Sequence, residues 1–440
     1  MHKDQIFLIN NIKRFLLKFT DKSKFPYRNS IFYLSTNSDL SLYLLNSLGR
    51  LQLMGFFIKF RIIFRNILYI LKYINPVIIA PVKNFFYNRI ILTWAFEENF
   101  SKDGSLNDRY FNINSKNLPE TLWLVIFMGK KLPKKINQNI FIISKSKRTS
   151  LNLFKIIKVL LSNILYFFLN LKYYLALVSS DNYLADYIIN KFTFLFNDNV
   201  KFFLLPYEGQ VFQNKLISNL KMNKKIKVIG YVHSPPMAMP SNFIFRSGSP
   251  DIAVLNGIDQ KFCFKNFLGW KNKNIKVLPS FRFIKNSKNF KNTIFLPISI
   301  LNPVPLLKRM ENLHNNKIID LKKFNVRGHP AVRSSLKNIL LIRKINKFIK
   351  NLPVKSKFKY KGNFLIFIGI SGAIIEELEK GSNVIQLSEN PIFDTYSNKL
   401  YPSLIKKKID DNVFTYKLKN KGNLLKFGNK KKNLRYIISL

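Results

Sequence analysis

Two stretches of this sequence place a side chain that can move a proton directly after an apolar run. In VKFFLLPYEGQ (200–210) the run is followed by Glu208, and in IKVIGYVHS (226–234) it is followed by His233. A carboxylate or an imidazole at the end of a strand can take a proton from a hydroxyl group as a general base. Glu208 and His233 are therefore the candidate catalytic residues. The alternatives are that Glu208 only stabilises the dipole of a following helix and that His233 is a turn or core residue.

The neighbours of Glu208 favour a ligand site. Gly209 leaves space beside the carboxylate, and Tyr207 offers an aromatic platform on which a sugar can stack. Gln210 belongs to the same cluster. We therefore expect Tyr207 and Gln210 to bind the acceptor of a transferred group.

A third stretch, VRGHPAVRSS (326–335), has the residue types of a phosphate site. Arg327 and His329 stand at the end of a predicted strand, Pro330 holds the histidine rigidly, and serines open the next predicted helix. A guanidinium, a histidine that donates a hydrogen bond and a helix N-terminus can together bind phosphate. The alternative is a turn histidine at a strand end.

A fourth stretch, FLIFIGISGAIIEELEKGSNVIQLSE (364–389), predicts a strand, a tight turn and a helix. Backbone amides at the helix start and Ser371, which lies between Gly369 and Gly372, can bind phosphate oxygens. Glu376 or Glu377, one turn into the helix, can accept a hydrogen bond from a ribose or sugar hydroxyl. Two-domain transferases that use nucleotide sugars commonly hold their donor in this way, whereas the alternative is an ordinary strand, turn and helix.

Apolar runs and helical stretches alternate along the chain, which predicts an α/β fold with parallel sheets and crossover helices. Ligands bind such sheets at the carboxyl ends of the strands, where Glu208 and His233 both fall. The prolines of PPMAMPSNFIF (235–245) indicate a domain boundary. We expect two Rossmann-like domains that face a cleft, at 85–240 and 241–440, after a basic helical N-terminal extension at 1–84.

The charge is strongly positive, since 73 Lys and Arg face 23 Asp and Glu for a net charge of +50. The lysines are spread over the whole chain rather than clustered on one tail with stacking aromatic residues, so we expect no nucleic-acid partner. Drift of an AT-rich genome and attraction to an anionic membrane surface explain the charge better.

The cytoplasm is the expected compartment. The single cysteine, Cys263, excludes an intrachain disulfide, and the first residues lack the pattern of a cleavable signal. The apolar stretches at 53–74 and 159–171 are interrupted by charges or too short to span a bilayer. We interpret them as core or interface helices, or as basic amphipathic helices on anionic lipid.

No metal or cofactor is expected. The sequence has no D-x-D pair, and its four histidines are scattered. Helix dipoles and cations can stabilise a departing nucleotide phosphate in place of a divalent ion.

The stretches YEGQVFQNKL, VIGYVHSPP, PDIAVLNG and KVLPSFRF, with LTWAFEENFSKDGSLNDRYFNINSKNLPETLWLVIF upstream, resemble a family of bacterial surface-carbohydrate biosynthesis proteins encoded in polysaccharide, capsule and O-antigen loci. The resemblance covers roughly residues 88 to 400. It implies a glycosyltransferase of the GT-B type, with an N-terminal acceptor domain and a C-terminal domain for the nucleotide-sugar donor.

More remotely, the chain is similar to bacterial sialyltransferases and Kdo transferases. Glu208-Gly209, His329-Pro330 and Ser371 follow the order of their acidic, His-Pro and serine motifs. This similarity implies that Glu208 is the general base and that His329 and Ser371 bind the phosphate of a CMP-activated ulosonic acid. CDP-alditol phosphotransferases share the fold, and their histidine motifs would make His233 the base.

We therefore expect an inverting, metal-independent glycosyltransferase at the cytoplasmic face of the inner membrane. Its expected partners are a nucleotide-sugar donor, a glycan or lipid-linked glycan acceptor, and the anionic membrane surface. The donor site is predicted at Arg327, His329, Pro330, Gly369, Ser371, Gly372, Glu376 and Glu377. The alternatives are a CDP-alditol-type phosphotransferase and a non-enzymatic protein that binds nucleic acid or glycan.

Overall fold

The structure is a computed structural model. It describes residues 5–18, 77–79, 86–144, 161, 188, 195–223, 226–284, 290–297, 303–329 and 336–440. The predicted helix at 53–74, the predicted helix at 159–171 apart from residue 161, and Pro330 of the predicted donor site lie outside these ranges.

The first sheet has eight strands in the order β1-β6-β5-β2-β7-β8-β9-β10. All neighbours are parallel except β1 and β6. The strands are β1 Val77–Ile79, β2 Arg89–Ala95, β5 Thr121–Phe127, β6 Ile140–Ser144, β7 Phe202–Pro206, β8 Lys227–Tyr231, β9 Ile252–Leu255 and β10 Ile275–Val277. Their apolar runs reflect burial on both faces, and all seven residues of β5 are buried. A short hairpin of β3 Asn107–Asp108 and β4 Ile113–Asn114 lies between β2 and β5 in the chain.

The second sheet has six strands in the order β12-β11-β13-β14-β16-β15. Its first four strands are parallel, and β16 and β15 add an antiparallel edge. The strands are β11 Thr293–Phe295, β12 Asn325–Arg327, β13 Phe364–Ile368, β14 Asn383–Leu387, β15 Leu404–Asp410 and β16 Val413–Leu418. Mixed α/β structure with parallel sheets is thus the architecture of the described chain, as predicted.

The α-helices follow the apolar periodicity of the sequence. They are α1 Gln5–Lys18, α2 Val211–Asn223, α3 Ile258–Asn266, α4 Pro303–Asn315, α5 Leu336–Lys350, α6 Ala373–Lys380, α7 Pro391–Asp394 and α8 Lys430–Ile438. None of these helices of the described chain has the length and apolar character of a membrane span.

The sheet order corrects the boundary predicted at residue 240. Strands β9 and β10 pair with β8, so the first sheet continues to Val277 and the second begins at Thr293. The chain also returns to the first sheet at its end, because the Asn433 amide in α8 donates to the carbonyl oxygens of Phe111 and Phe281, both at 2.9 Å. Apolar runs predict where strands form, but they do not tell which sheet a strand joins.

Helix α1 packs onto the rest of the protein rather than extending from it. Ile9 and Ile12 are buried in the main hydrophobic cluster. The Gln5 amide donates to the carbonyl oxygens of Ile392 and Thr395 at 2.8 and 2.6 Å. Residues 5–18 of the predicted N-terminal extension at 1–84 are therefore part of the packed fold.

The carboxyl ends of the two sheets meet. Pro235, in the segment after β8, lies against the turn after β13, and a Cβ placed on Gly372 would be 3.5 Å from the Pro235 Cδ. The Tyr401 hydroxyl donates to the carbonyl oxygen of Met237 at 2.6 Å. The strand ends that carry the predicted sites of both halves therefore share one region of the molecule.

Candidate active site

Glu208 stands in the turn between β7 and α2, and Gln213 in the first turn of α2 fixes the conformation of that turn. The Gln213 side-chain amide donates to the carbonyl oxygen of Pro206 at 2.7 Å. Its oxygen accepts from the backbone N–H groups of Glu208 and Gln210, at 3.0 and 3.2 Å. Gln213 is completely buried, so these three bonds are shielded from water.

The next residue in the turn must be glycine. Gly209 has φ +66°, a left-handed conformation that residues with a Cβ rarely adopt. A Cβ at this position would also overlap the carbonyl oxygen of Asn242. Because Gly209 allows the chain to pass so close to Asn242, the turn is held tightly beside Glu208.

Tyr207 does not offer a surface to a ligand. Its ring is completely buried, and its hydroxyl donates to the Asn214 side-chain oxygen at 2.9 Å. Tyr207 follows β7 directly, and its ring packs in the core against Phe243, with ring centroids 5.8 Å apart. The acceptor platform predicted at Tyr207 is therefore corrected to a core position.

His233, at the end of β8, links Glu208 to Arg282. The His233 Nε2 lies 2.8 Å from the Glu208 Oε1, and the His233 Nδ1 lies 3.1 Å from the Arg282 Nη1. A guanidinium only donates hydrogen bonds, so Nδ1 must accept and therefore carries no proton. The proton of the neutral ring then resides on Nε2 and is donated to Glu208. The imidazole, only 5% exposed, is held in this tautomer by the two neighbours.

The surroundings of Glu208 favour the ionised form of its carboxylate. Burial raises the pKa of Glu208, but the hydrogen-bonded and electrostatic interaction with His233, the hydrogen bond from Gln210 and the positive charge of Arg282 outweigh burial, so the pKa lies below its ordinary value of 4.5. The Gln210 amide donates to Oε2. The side chain remains 34% exposed. Gln210 thus orients the carboxylate.

Glu208 opens onto a cavity of about 210 Å³. This is smaller than the ~300–1,000 Å³ of sites for drug-sized ligands, so the cavity suits a small group. Tyr110 packs edge-on against the His233 ring at 4.7 Å between centroids, and Trp94 packs edge-on against Tyr110 at 5.9 Å. The lining residues are Trp94, Phe96, Arg109, Tyr110, Met128, Glu208, Gln210 and His233.

The turn after β13 contains the predicted donor glycines and serine. Gly369 is buried with φ +65°, and Gly372 precedes α6. The Ser371 hydroxyl accepts from the backbone N–H of Ala373 at 3.3 Å, and the Ser371 carbonyl oxygen accepts from the Tyr396 hydroxyl at 3.1 Å. This turn lies beside Pro235, and therefore close to the segment that follows His233.

The two acids of α6 are engaged within the fold. Lys380 lies 2.6 Å from the Glu376 carboxylate and 2.8 Å from that of Glu377. Glu377, only 3% exposed, also accepts from the Ser382 hydroxyl at 2.9 Å. The prediction that Glu377 binds a ligand hydroxyl is therefore corrected, because its carboxylate is buried. Glu376 is 21% exposed and forms an i,i+4 pair with Lys380.

Arg327 and His329 lie at the carboxyl edge of the same sheet as Ser371. Strand β11 separates β12 from β13, so the ends of these two strands lie about 9–10 Å apart. The Arg327 guanidinium is 4.6 Å from the centre of the Phe290 ring. Partial burial lowers the pKa of His329, which favours its neutral form at pH 7.

Sequence reasoning missed the loop residues that complete the site, of which Arg109 and Tyr110 line the cavity and Arg282 contacts His233. Arg282 follows β10, and Arg109 and Tyr110 sit in the β3–β4 hairpin, all far from Glu208 in the chain. Only the FRF of the KVLPSFRF stretch gave a signal for Arg282, as part of the family resemblance. In the described part of the chain, no group of three or more His, Cys, Asp or Glu side chains is arranged to hold a metal ion.

No protein-family model matches the sequence, and neither does any curated protein. Among solved structures, a glycosyltransferase from Rickettsia africae ESF-5 is 14% identical to this chain, and the match covers 69% of this chain and 79% of that one. The TM-score is 0.32, which is too low to carry an argument about fold or function. The resemblance to surface-carbohydrate glycosyltransferases therefore stays a prediction.

Proposed function

We propose that this protein is a glycosyltransferase of the GT-B type that transfers a sugar from a nucleotide-sugar donor to a glycan or lipid-linked glycan. Glu208 is the general base, Gln210 and His233 orient it, and the donor binds at the carboxyl edge of the second sheet. The Arg282–His233–Glu208 chain carries this proposal, because it leaves a partly exposed, ionised carboxylate facing a small cavity with aromatic walls.

The reaction uses Glu208 as follows. Its carboxylate takes the proton of the acceptor hydroxyl, while the hydroxyl oxygen forms a bond to the anomeric carbon of the donor sugar. The bond from that carbon to the phosphate oxygen breaks, and its electron pair leaves with the nucleotide. Attack from the face opposite the phosphate inverts the anomeric configuration.

Two observations support a donor site on the second sheet. The turn Gly369–Gly372 leads into α6 and lies at the positive end of its dipole, although the first N–H groups of the helix already donate to Ser371 and Gly372. His329 and Arg327 lie at the same edge, two strands away. These groups are suited to a nucleotide phosphate, and the contact of Gly372 with Pro235 brings the turn towards the cavity.

The base is Glu208 rather than His233. For the imidazole to act as the base, a ring nitrogen must hold a free lone pair, but Nδ1 accepts from Arg282 and Nε2 carries the proton that it donates to Glu208. This arrangement favours a glycosyltransferase over a CDP-alditol-type phosphotransferase that uses the histidine. The setting of the reaction is the cytoplasmic membrane surface, where the net charge of +50 favours anionic lipid.

A thermal-shift screen with CMP, CDP, UDP, GDP and their sugar conjugates tests the proposal. A nucleotide at 100 times its dissociation constant stabilises the folded protein by about 2.7 kcal/mol. We expect one nucleotide family to raise the Tm, and His329→Ala to abolish the shift. Arg343→Ala removes an exposed charge from α5 and is the matched control, which keeps the shift.

A result with no shift for any nucleotide contradicts the transferase. A shift with oligonucleotides instead, with steep salt dependence, indicates a nucleic-acid-binding protein. If a nucleotide still raises the Tm of His329→Ala, His329 is not part of the donor site.

A further inference from the structure

Arg109 stands on the wall of the cavity that Glu208 opens onto. The side chain is exposed, and no described carboxylate lies within 4.0 Å of its guanidinium. The cavity therefore presents one carboxylate, which is already hydrogen-bonded to His233 and Gln210, and one guanidinium without a carboxylate partner in the described chain.

The backbone that carries Arg109 is fixed by a buried acid. The Asp108 carboxylate accepts from the backbone N–H groups of Tyr110 and Phe111, at 2.8 and 2.6 Å, and from the Thr93 hydroxyl. Asp108 is only 4% exposed. Its bonds tie the β3–β4 hairpin to strand β2, so the position of the Arg109 Cα relative to the cavity is set by the core.

The guanidinium itself is held between two aromatic rings. The Arg109 Cζ lies 5.0 Å from the centre of the Phe96 ring and 5.3 Å from that of the Tyr110 ring. Such contacts stabilise a cation and restrict its rotamers. Nη2 also donates to the Tyr110 hydroxyl at 3.4 Å, which leaves the other N–H groups for a ligand. The planar fork is therefore preorganised for bidentate hydrogen bonds to a carboxylate or phosphate.

We infer that Arg109 is a specificity-determining residue and that the cavity takes an anionic sugar, whose carboxylate or phosphate pairs with the guanidinium while a hydroxyl faces Glu208. The inference rests on the proposed function for the role of Glu208. A neutral sugar would leave the cation without a partner after displacing its water, whereas an anionic sugar compensates that loss.

Binding of free sugars tests the inference without any transfer reaction. The probes are glucuronate, glucose 6-phosphate and glucose, titrated into the full-length protein by calorimetry, with the shift in Tm as a second readout. We expect at least one anionic sugar to bind about tenfold or more tightly than glucose, and added salt to weaken that preference. Preference for glucuronate assigns the anion to a carboxylate, and preference for glucose 6-phosphate assigns it to a phosphate.

Two variants make the test specific to Arg109. Arg109→Gln is expected to bind all three sugars about equally, whereas Lys102→Gln, which removes an exposed charge nearby in the sequence, keeps the preference. Arg109→Lys keeps the charge but not the fork, and we expect an intermediate preference. If Arg109→Lys folds normally, a side chain other than arginine is tolerated at this position, and loss of the preference in Arg109→Gln is then not explained by misfolding.

Three results overturn the inference: equal binding of glucose and the anions, a preference that survives Arg109→Gln, and binding of none of the three sugars. Failure of the proposed function has a different signature, because it removes the nucleotide shift and leaves the sugar preference unchanged.

Discussion

The turn after β7 and the turn after β13 both pass through a glycine with positive φ, 66° at Gly209 and 65° at Gly369, and both lead into a helix. Their acids have different surroundings. Glu208 has 34% of its side chain exposed and receives hydrogen bonds from neutral donors. Glu377 is 3% exposed and pairs with Lys380.

This difference separates a carboxylate that can react from one that stabilises the fold. A carboxylate bonded to a neutral imidazole and an amide keeps lone pairs for a substrate proton. A carboxylate that is buried against an ammonium group has no path to a substrate. The residue types alone do not distinguish the two cases, since both acids lie near a glycine turn at a strand end.

Replacement of Glu208 is expected to have the largest effect, which is on the rate of donor hydrolysis. Glu208→Gln removes the base and should slow hydrolysis of the donor by about 10²–10⁴-fold, while the nucleotide still raises the Tm. The measurement is release of nucleotide from the sugar conjugate that stabilises the protein most. Glu311→Gln removes an exposed carboxylate from α4 and is the control, and a loss in that variant as large as in Glu208→Gln contradicts the account.

The glycines of the two turns give the next effect. Gly209→Ala should lower the free energy of unfolding by about 3 kcal/mol or more, from ~1–3 kcal/mol for left-handed backbone and ~1–3 kcal/mol for the overlap with Asn242. Gly372→Ala should be tolerated, because Gly372 has φ −63° and its added Cβ makes ordinary contact with Pro235. Urea unfolding midpoints measure both, and equal midpoints for the two variants would be inconsistent with the turn geometry.

Glu377→Gln tests the structural acid. It weakens the hydrogen bonds to Lys380 and Ser382, and we expect the free energy of unfolding to fall by about 1.5–3 kcal/mol. The hydrolysis rate of the folded variant should match the unchanged protein. A variant with normal stability and lost turnover would instead indicate that Glu377 binds the donor.

The smallest effect concerns pH. The pKa of Glu208 lies below 4.5, so the carboxylate stays ionised as pH falls, and hydrolysis should decline only when pH passes through that lowered value. Arg282→Gln removes a positive charge that contributes to the lowering, so the acid limb of kcat/KM should move to higher pH. Arg282→Lys keeps the charge and should move it less. If kcat/KM declines at the same pH in Arg282→Gln and Arg282→Lys, or at a lower pH than in the unchanged protein, Arg282 does not have this role.

Much of the fold could be predicted from the sequence, because buried strands and amphipathic helices have strong local patterns of apolar residues. The apolar runs at β7, β8, β13 and β14, and helix α6, lie where the pattern predicts them. The edge strand β15 was not predicted, because four of its seven residues are exposed and its centre is lysine-rich. An exposed edge strand lacks the continuous apolar run that identifies a buried parallel strand.

The candidate site was predictable only in part. Glu208 and His233 follow adjacent strands, so their proximity follows from parallel pairing of β7 and β8. Arg282 and Arg109 come from loops that only the complete topology brings to this edge. Tyr207 was misread because its burial depends on contact with Phe243, which is distant in the chain and gives no local signal.

The most direct test of the central claim is the ranking of Glu208→Gln and His233→Asn in donor hydrolysis, with nucleotide binding checked by thermal shift in both. We expect Glu208→Gln to lose the larger share of turnover, because Glu208 takes the proton and His233 orients it. A larger loss in His233→Asn, with Glu208→Gln still active, would contradict the account and identify the imidazole as the base.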